Sequence, residues 1–468
     1  MTFRFEPEKE YSWTGEFWYA DTTLEDVANH FGGTLTYSLE KGFQLHIITG
    51  AASNHYRETS KRDIHGVIPD LHQITLMNCL LSPGSTYHGE VSYSTVKFKV
   101  QYLVKGKWVK STDTDFIGIS FHCPLLDSFS DHAYNWHQVR CEENIVDAAL
   151  DNGLHISIHH GYSKNRVRLA LGSRGEQFKE KCEKLNEIIG DDDMVLSKAY
   201  PIIRIMGARN TADHYRQRKY EMTRFFSALT LEAVHADKVW LHIGDNLYEV
   251  MSKLPENLKT SEDIVWQFLP ITLDRIKVNF KEMYEEFQRL MTDGGVSLLN
   301  ILLREKLLKH RFQSDSVGYL QYCWIINTIG DWQCKYGSNI DNETGQELTE
   351  QEVAQHRFDL FLKQNLQPQI NSFRTIIEDG LKGIFGNTSD LNSIGKNIKN
   401  IRNCLEHIDN EELYEQYKAY VEDESCINNL CELLFLLLME VLYKRLGITF
   451  DEPQSTLLGQ KLVIWSKY

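Results

Sequence analysis

Two periodicities divide the chain. Up to about residue 255, apolar positions alternate with polar ones, the spacing of half-buried strands. Val96, Phe98, Val100, Tyr102 and Val104 alternate with Lys97, Lys99, Gln101 and Leu103, and Lys105-Gly106-Lys107 then turns the chain. Shorter runs of the same kind occupy 34–37, 44–48, 156–158 and 167–171, punctuated by Gly or Asn. They predict an antiparallel meander or sandwich, with helices only near 175–190 and 215–229. Beyond about residue 260 the spacing becomes helical: Ile271, Ile276, Phe280, Met283, Phe287 and Met291 recur every three to five residues. Thr349-Glu350-Gln351-Glu352 has the form of a capping box. Two apolar stripes follow, one through Leu391, Ile394, Ile398, Ile401, Leu405 and Ile408, the other through Ile427, Leu430, Leu434, Leu437 and Val441. The expectation is an α+β protein: an N-terminal antiparallel β-rich, sandwich-like domain over 1–255 and a C-terminal all-α bundle over 256–468.

Composition narrows the classes. Hydrophobic residues at 42% and charged residues at 25% match a folded chain and exclude wholesale disorder. The net charge of −15 excludes a general nucleic-acid coat, so any phosphate contact must come from a local basic patch. The longest apolar run, Leu433 to Met439, lies between Glu432 and Glu440 and is far shorter than a membrane span. The first residues lack the basic-then-apolar pattern of a signal peptide, and nine cysteines without a CxxC pair argue against a disulfide framework or zinc knuckle. A cytoplasmic protein without membrane contact is expected.

The polar side of the first stripe carries the most chemistry. At about 100° per residue, Lys396, Lys399, Asn403, Glu406 and His407 share it, with Arg402 on its flank. Asn403 and His407 stand four apart, hence stacked, and Arg402 can reach the same spot. The imidazole can trade a proton near neutral pH, and the guanidinium can fork onto phosphate oxygens and stabilise developing charge. Such a set could cleave RNA with its own 2′-OH as nucleophile, or be an ordinary solvated helix face. Arg followed by His at this spacing also occurs at Arg209/His214 and Arg304/His310. The first suits a loop-to-helix entry after Gly207, and the second sits beside Lys306 and Lys309 like a solvated face. Neither has an Arg, an Asn and a His beside two lysines.

Other residues invite plainer readings. His155 and His159 share a strand face but stand ~13 Å apart, too far to grip one zinc ion without a bulge. Asp191-Asp192-Asp193 reads as a solvated turn, and Cys404, Cys426 and Cys431 as small buried hydrophobes. No GxxxxGK[ST] phosphate cradle occurs. No metal site or cofactor is expected.

The stretch Asn400-Ile401-Arg402-Asn403-Cys404-Leu405-Glu406-His407, followed by an apolar helix ending Tyr443-Lys444-Arg445-Leu446-Gly447, resembles the signature of HEPN ribonucleases. That family carries R-x4-6-H on the penultimate helix of a bundle. The N-terminal half resembles the N-terminal domain of ApeA-type phage-defence proteins. The pieces that carry this are Gly15-Glu16-Phe17-Trp18, Gly33-Thr34-Leu35-Thr36-Tyr37, Gly42-Phe43-Gln44-Leu45, His65-Gly66 and Ile74-Thr75-Leu76, in that order. The resemblance implies a metal-independent endoribonuclease of abortive infection, coupled to a sensing or regulatory β domain. Two protomers would pair around one composite site and cut structured RNA, such as tRNA, to a 2′,3′-cyclic phosphate. Arg402 would stabilise the phosphorane-like state, His407 would move the proton and Asn403 would orient either. Lys396 and Lys399, with Lys382, would draw the RNA, and a phage protein is the implied trigger. The family's helix with a glutamate aligns with the stretch around Tyr322–Thr328, where no acid appears before Asp331. A non-catalytic reading stands beside this one: a bundle that dimerises or binds RNA, joined to a partner-recognising β domain.

Overall fold

The computed structural model describes residues 5–22, 25, 27–50, 61–82, 86–87, 93–127, 144–166, 195–255, 271, 273–293, 315–341, 344–365, 391–406, 411–422 and 424–449. Two compact units emerge, one holding nearly all strands and the other most helices, with the first ending at Thr223 inside one helix and resuming at Val234. The fold is α+β, as the change of periodicity predicts. Among the described residues no helix is long and apolar enough to cross a membrane.

Among the described residues fourteen strands form one hydrogen-bonded sheet. They are β1 (Tyr11–Tyr19), β2 (Phe31–Ser38), β3 (Gly42–Gly50), β4 (Arg62–Ile68), β5 (His72–Ser82), β6 (Thr86–Tyr87) and β7 (Tyr93–Val100). The rest are β8 (Tyr102–Lys105), β9 (Phe116–His122), β10 (Asn144–Ala149), β11 (His155–Arg166), β12 (Val195–Asn210), β13 (Lys238–Ile243) and β14 (Asn246–Ser252). The predicted strands at 34–37, 44–48, 96–104 and 156–158 all fall inside these; the runs at 167–171 and 175–190 lie outside the described residues.

Every strand pair among the described residues is antiparallel, and β5, β4, β1, β2, β3 and β7 close into a ring because β7 returns to β5 through Leu80↔Lys99, Leu81↔Phe98 and Ser82↔Lys97. This closed barrel, with a sheet extension, stands where the sequence pattern suggested a sandwich. The difference arises at Gln101. The strand formed by β7 and β8 keeps β5 along one side throughout, since Leu76↔Leu103 and Met77↔Tyr102 continue the same register. Its other side faces β3 up to Val100 and β14 from Tyr102 onward. Opposite this branch Asn78 adopts φ +53°, and Asp63 accepts its backbone N–H at 2.9 Å, which fixes the corner.

The barrel core follows the period-two pattern: Trp13 and Phe17 from β1, Leu35 and Tyr37 from β2, Phe43, Leu45 and Ile47 from β3, and Val96, Phe98 and Val100 from β7 are all buried together. Phe17 explains two glycines. It pairs across the ladder with Gly66, where an added Cβ would lie 2.6 Å from the Phe17 ring, and Gly33 leaves room on its other side. The short N-terminal motifs are therefore one packing unit. Gly66→Ala is expected to lower stability by about 1–3 kcal/mol through overpacking. Gly32→Ala, where a Cβ would meet nothing within 4 Å, should be close to neutral in the same urea titration.

Among the described residues the helices longer than one turn are α1 (Ala212–Thr230), α2 (Phe280–Thr292), α3 (Asp315–Tyr336), α4 (Glu350–Asn365), α5 (Leu391–Glu406), α6 (Glu411–Val421) and α7 (Glu424–Arg445). α1 covers the predicted 215–229, and Thr211 Oγ1 caps it by accepting the His214 N–H at 3.2 Å, so His214 serves the helix entry. The capping box forms as spelled: the Thr349 N–H reaches Glu352 Oε2 at 2.8 Å and the Glu352 N–H reaches Thr349 Oγ1 at 3.3 Å. On α7 the predicted stripe is buried through Leu437, but every residue from Leu433 to Met439 is buried, so this helix is central to its unit rather than amphipathic. Tyr443 near its end donates toward the Ala228 and Leu229 carbonyls at 2.9 and 3.0 Å, and burial pushes its phenol pKa upward.

Candidate functional site

Helix α5 buries Ile398 and Ile401 of the predicted stripe and, next along the same side, Cys404. Leu405 is half-buried, and Ile408 lies outside the described residues. The opposite side behaves as a polar face with definite partners. Arg402 Nη2 donates to Asn327 Oδ1 on α3 at 3.2 Å, and Nη1 donates to Asn403 Oδ1 at 3.4 Å. Lys399 Nζ meets Asp359 Oδ2 on α4 at 3.1 Å. Arg402 and Lys399 thus stand one turn apart over the same two helices, α3 and α4. They border a depression of about 90 Å³ whose walls include Asn327, His356, Arg357 and Asp359. Arg357 Nη1 in turn pairs with Asp331 Oδ1 at 2.9 Å.

Arg402, Asn403 and Lys399 are therefore brought to one place. Lys396 lies on α5 where only the backbone is described, and His407 and Lys382 lie outside the described residues. Two features were not read from the sequence. Asn327 interrupts the apolar run Trp324-Ile325-Ile326 and supplies the amide that orients Arg402, on the helix where the ribonuclease resemblance led one to seek a glutamate. His356 and Arg357 sit on the outer part of the capping-box helix and join the depression. An additional helix, α6, separates α5 from α7, so Arg402 does not lie on the penultimate described helix. Tyr417 of α6 ties it to α5, accepting from Asn400 Nδ2 at 2.7 Å and donating to Asn397 Oδ1 at 3.2 Å. Chemically, a guanidinium, an ammonium and amides at a shallow opening can hold the non-bridging oxygens of a phosphodiester.

The β unit has a polar centre of its own. His122, at the end of β9, is buried between two carboxylates: Nδ1 lies 2.6 Å from Asp237 Oδ1 and Nε2 lies 2.8 Å from Asp127 Oδ1. A ring with both nitrogens on carboxylate oxygens donates from both, which makes it an imidazolium. Burial opposes that charge, but the hydrogen bonds and charges of Asp127 and Asp237 outweigh burial and raise the His122 pKa above the ordinary 6.5. His155, considered above as a metal ligand, instead pairs with Asp147 at 2.5 Å, and no group of three metal-ligating side chains occurs among the described residues. Cys404 and Cys431 are buried, as expected of small hydrophobes.

An antiparallel barrel with a branched sheet extension, followed by a helical unit, defines the class: a two-part α+β protein whose β part is stitched by long-range polar contacts. The sequence matches the ApeA N-terminal domain 1 family over residues 12–287, more than half of the chain. The chain belongs to that family. The match spans the whole sheet, α1 and most of α2. No curated protein and no solved structure matches the chain.

Proposed function

We propose that this protein is a HEPN-type endoribonuclease of anti-phage defence, in which the β unit senses infection and the helical unit cuts structured host RNA. Membership of the ApeA N-terminal domain family supports the defence role. The observation that carries the nuclease reading is Arg402, oriented by Asn327 and Asn403 at an open depression that Lys399 also borders. In this reading His407 moves the proton of the ribose 2′-OH, and the 2′-oxygen bonds to phosphorus as the 5′-oxygen leaves with a proton. The product is a 2′,3′-cyclic phosphate. Arg402 stabilises the charge gathering on the phosphorus oxygens, and two protomers pair around a composite site. The deciding experiment is to sequence RNA ends after induced expression and to incubate purified protein with tRNA in chelator. Cyclic-phosphate ends made by wild type and absent with His407→Ala support the reading. Equal cleavage by both proteins, or cleavage only with added Mg²⁺, overturns it, and a strict monomer by light scattering removes the composite site.

The second reading, a non-catalytic RNA-binding or dimerising bundle, is favoured by the internal engagement of Lys399 with Asp359. Lys399→Glu separates binding from chemistry. It should weaken RNA binding and reduce the slope of log affinity against log salt by about 1, read by filter binding across a salt series.

A further inference from the structure

A cavity of about 570 Å³ opens in the β unit beside the His122 cluster, within the size range of small-ligand pockets. Its ionisable lining is one-sided: Glu6, Glu8, Asp237 and Glu249 against Lys238. Some of this charge is already used, since Glu6 pairs with Lys9 at 2.7 Å and Glu249 lies 3.6 Å from Lys105. Asp237 is different. His122 holds its Oδ1 and is itself locked from behind by Asp127, while Oδ2 accepts no hydrogen bond from any described residue. A buried imidazolium between two carboxylates leaves the cluster one negative charge in excess, delivered to the pocket wall on a carboxylate that cannot swing away. The walls also carry aromatic faces. Tyr200 already seats a cation, with Lys238 Nζ 5.1 Å from its ring centre. Trp240 is half-buried on the same wall; its backbone is taken up in the ladders to β9 and β14, but its indole contacts no aromatic ring and forms no hydrogen bond with a described residue.

We propose that this pocket binds a guanidinium or ammonium group, held by Asp237 Oδ2 and the face of Trp240. The proposal gives the sensing role suggested above its ligand chemistry, yet it stands on the β unit alone. Two sources share that chemistry, a free organic cation and an arginine or lysine side chain of a protein partner. Calorimetric titration of the full-length chain with agmatine, with a capped Gly-Gly-Arg-Gly-Gly peptide and with an all-glycine control separates them. Agmatine binding as well as the peptide identifies a free cation as sufficient; binding of the peptide alone identifies a side chain within a polypeptide. In either case Trp240→Ala and Glu249→Gln should each weaken binding, the former by about tenfold, and Asp237→Asn by at least that much. Trp240→Ala and Glu249→Gln keep the test open if Asp237→Asn does not fold. No heat from either probe up to about 10 mM, or binding untouched by all three substitutions, overturns the proposal. Because the readout is binding rather than RNA cleavage, its failure and that of the nuclease reading are told apart.

Discussion

Arg402→Ala is expected to reduce RNA cleavage by ~10²–10³, the usual loss when one donor to transition-state charge is removed, and His407→Ala by ~10²–10⁴. The two should differ in a second measurement. In the proposed mechanism Arg402 also meets a phosphate in the ground state, so its loss should raise KM as well as lower kcat. His407 in that mechanism acts only in proton transfer, so its loss should fall on kcat. Asn327→Ala leaves both groups in place and removes only the amide that aims the guanidinium, whose Nη2 it accepts at 3.2 Å. Its effect should therefore be smaller than that of Arg402→Ala and in the same direction. Single-turnover cleavage of labelled tRNA gives all three values. If Arg402→Ala retains wild-type turnover, the depression on α5 is a structural polar seam and the binding-module reading takes its place.

His122→Ala is expected to destabilise the β unit by about 3–5 kcal/mol, because it strips the cation from between Asp127 and Asp237 and leaves two carboxylates facing a void. The same cluster sets a pH dependence whose sign follows from the direction of its shift. The folded-state pKa lies above the ordinary 6.5 because the two carboxylates outweigh burial. The folded protein therefore holds the proton more tightly than the unfolded chain does. Its stabilisation is complete below the ordinary value and fades as pH rises through the raised one. Urea unfolding between about pH 5 and pH 9 should show wild type losing stability relative to His122→Gln as the solution becomes alkaline. Parallel profiles for the two proteins would mean that the folded cluster takes up no extra proton, and the imidazolium assignment fails.

Local pattern revealed the elements and left their joining hidden. The alternation at 96–100 marks an inner stripe, although beyond Gln101 the inner position passes to Leu103 while Tyr102 and Val104 are buried as well, and Thr349 to Glu352 spells a cap that forms in detail. Both are written within a few residues. Ring closure depends instead on β5 meeting β7, and the branch on a neighbour change at Gln101, neither of which alternation encodes. The polar clusters show the same limit. Arg402 and Asn403 are adjacent and were legible together, whereas Asn327 comes from 75 residues earlier. His122 and Asp237 meet across 115 residues, and nothing about a lone His at the end of an apolar strand marks it as a cation clamp. The all-round burial of 433–439 was partly visible as an unbroken apolar run, but a stripe template captures only one side of such a helix.

The branch at Gln101 also decides where the sheet is left open. Since β7 turns back onto β5 while its continuation runs on into β14, the ring has no open margin, and among the described strands the sheet terminates only at β10 and at β6, two residues long. A foreign strand seeking main-chain partners at the two ends of the sheet is limited to the six residues of β10 and the two of β6, which narrows the ways in which the sheet can be lengthened by another chain.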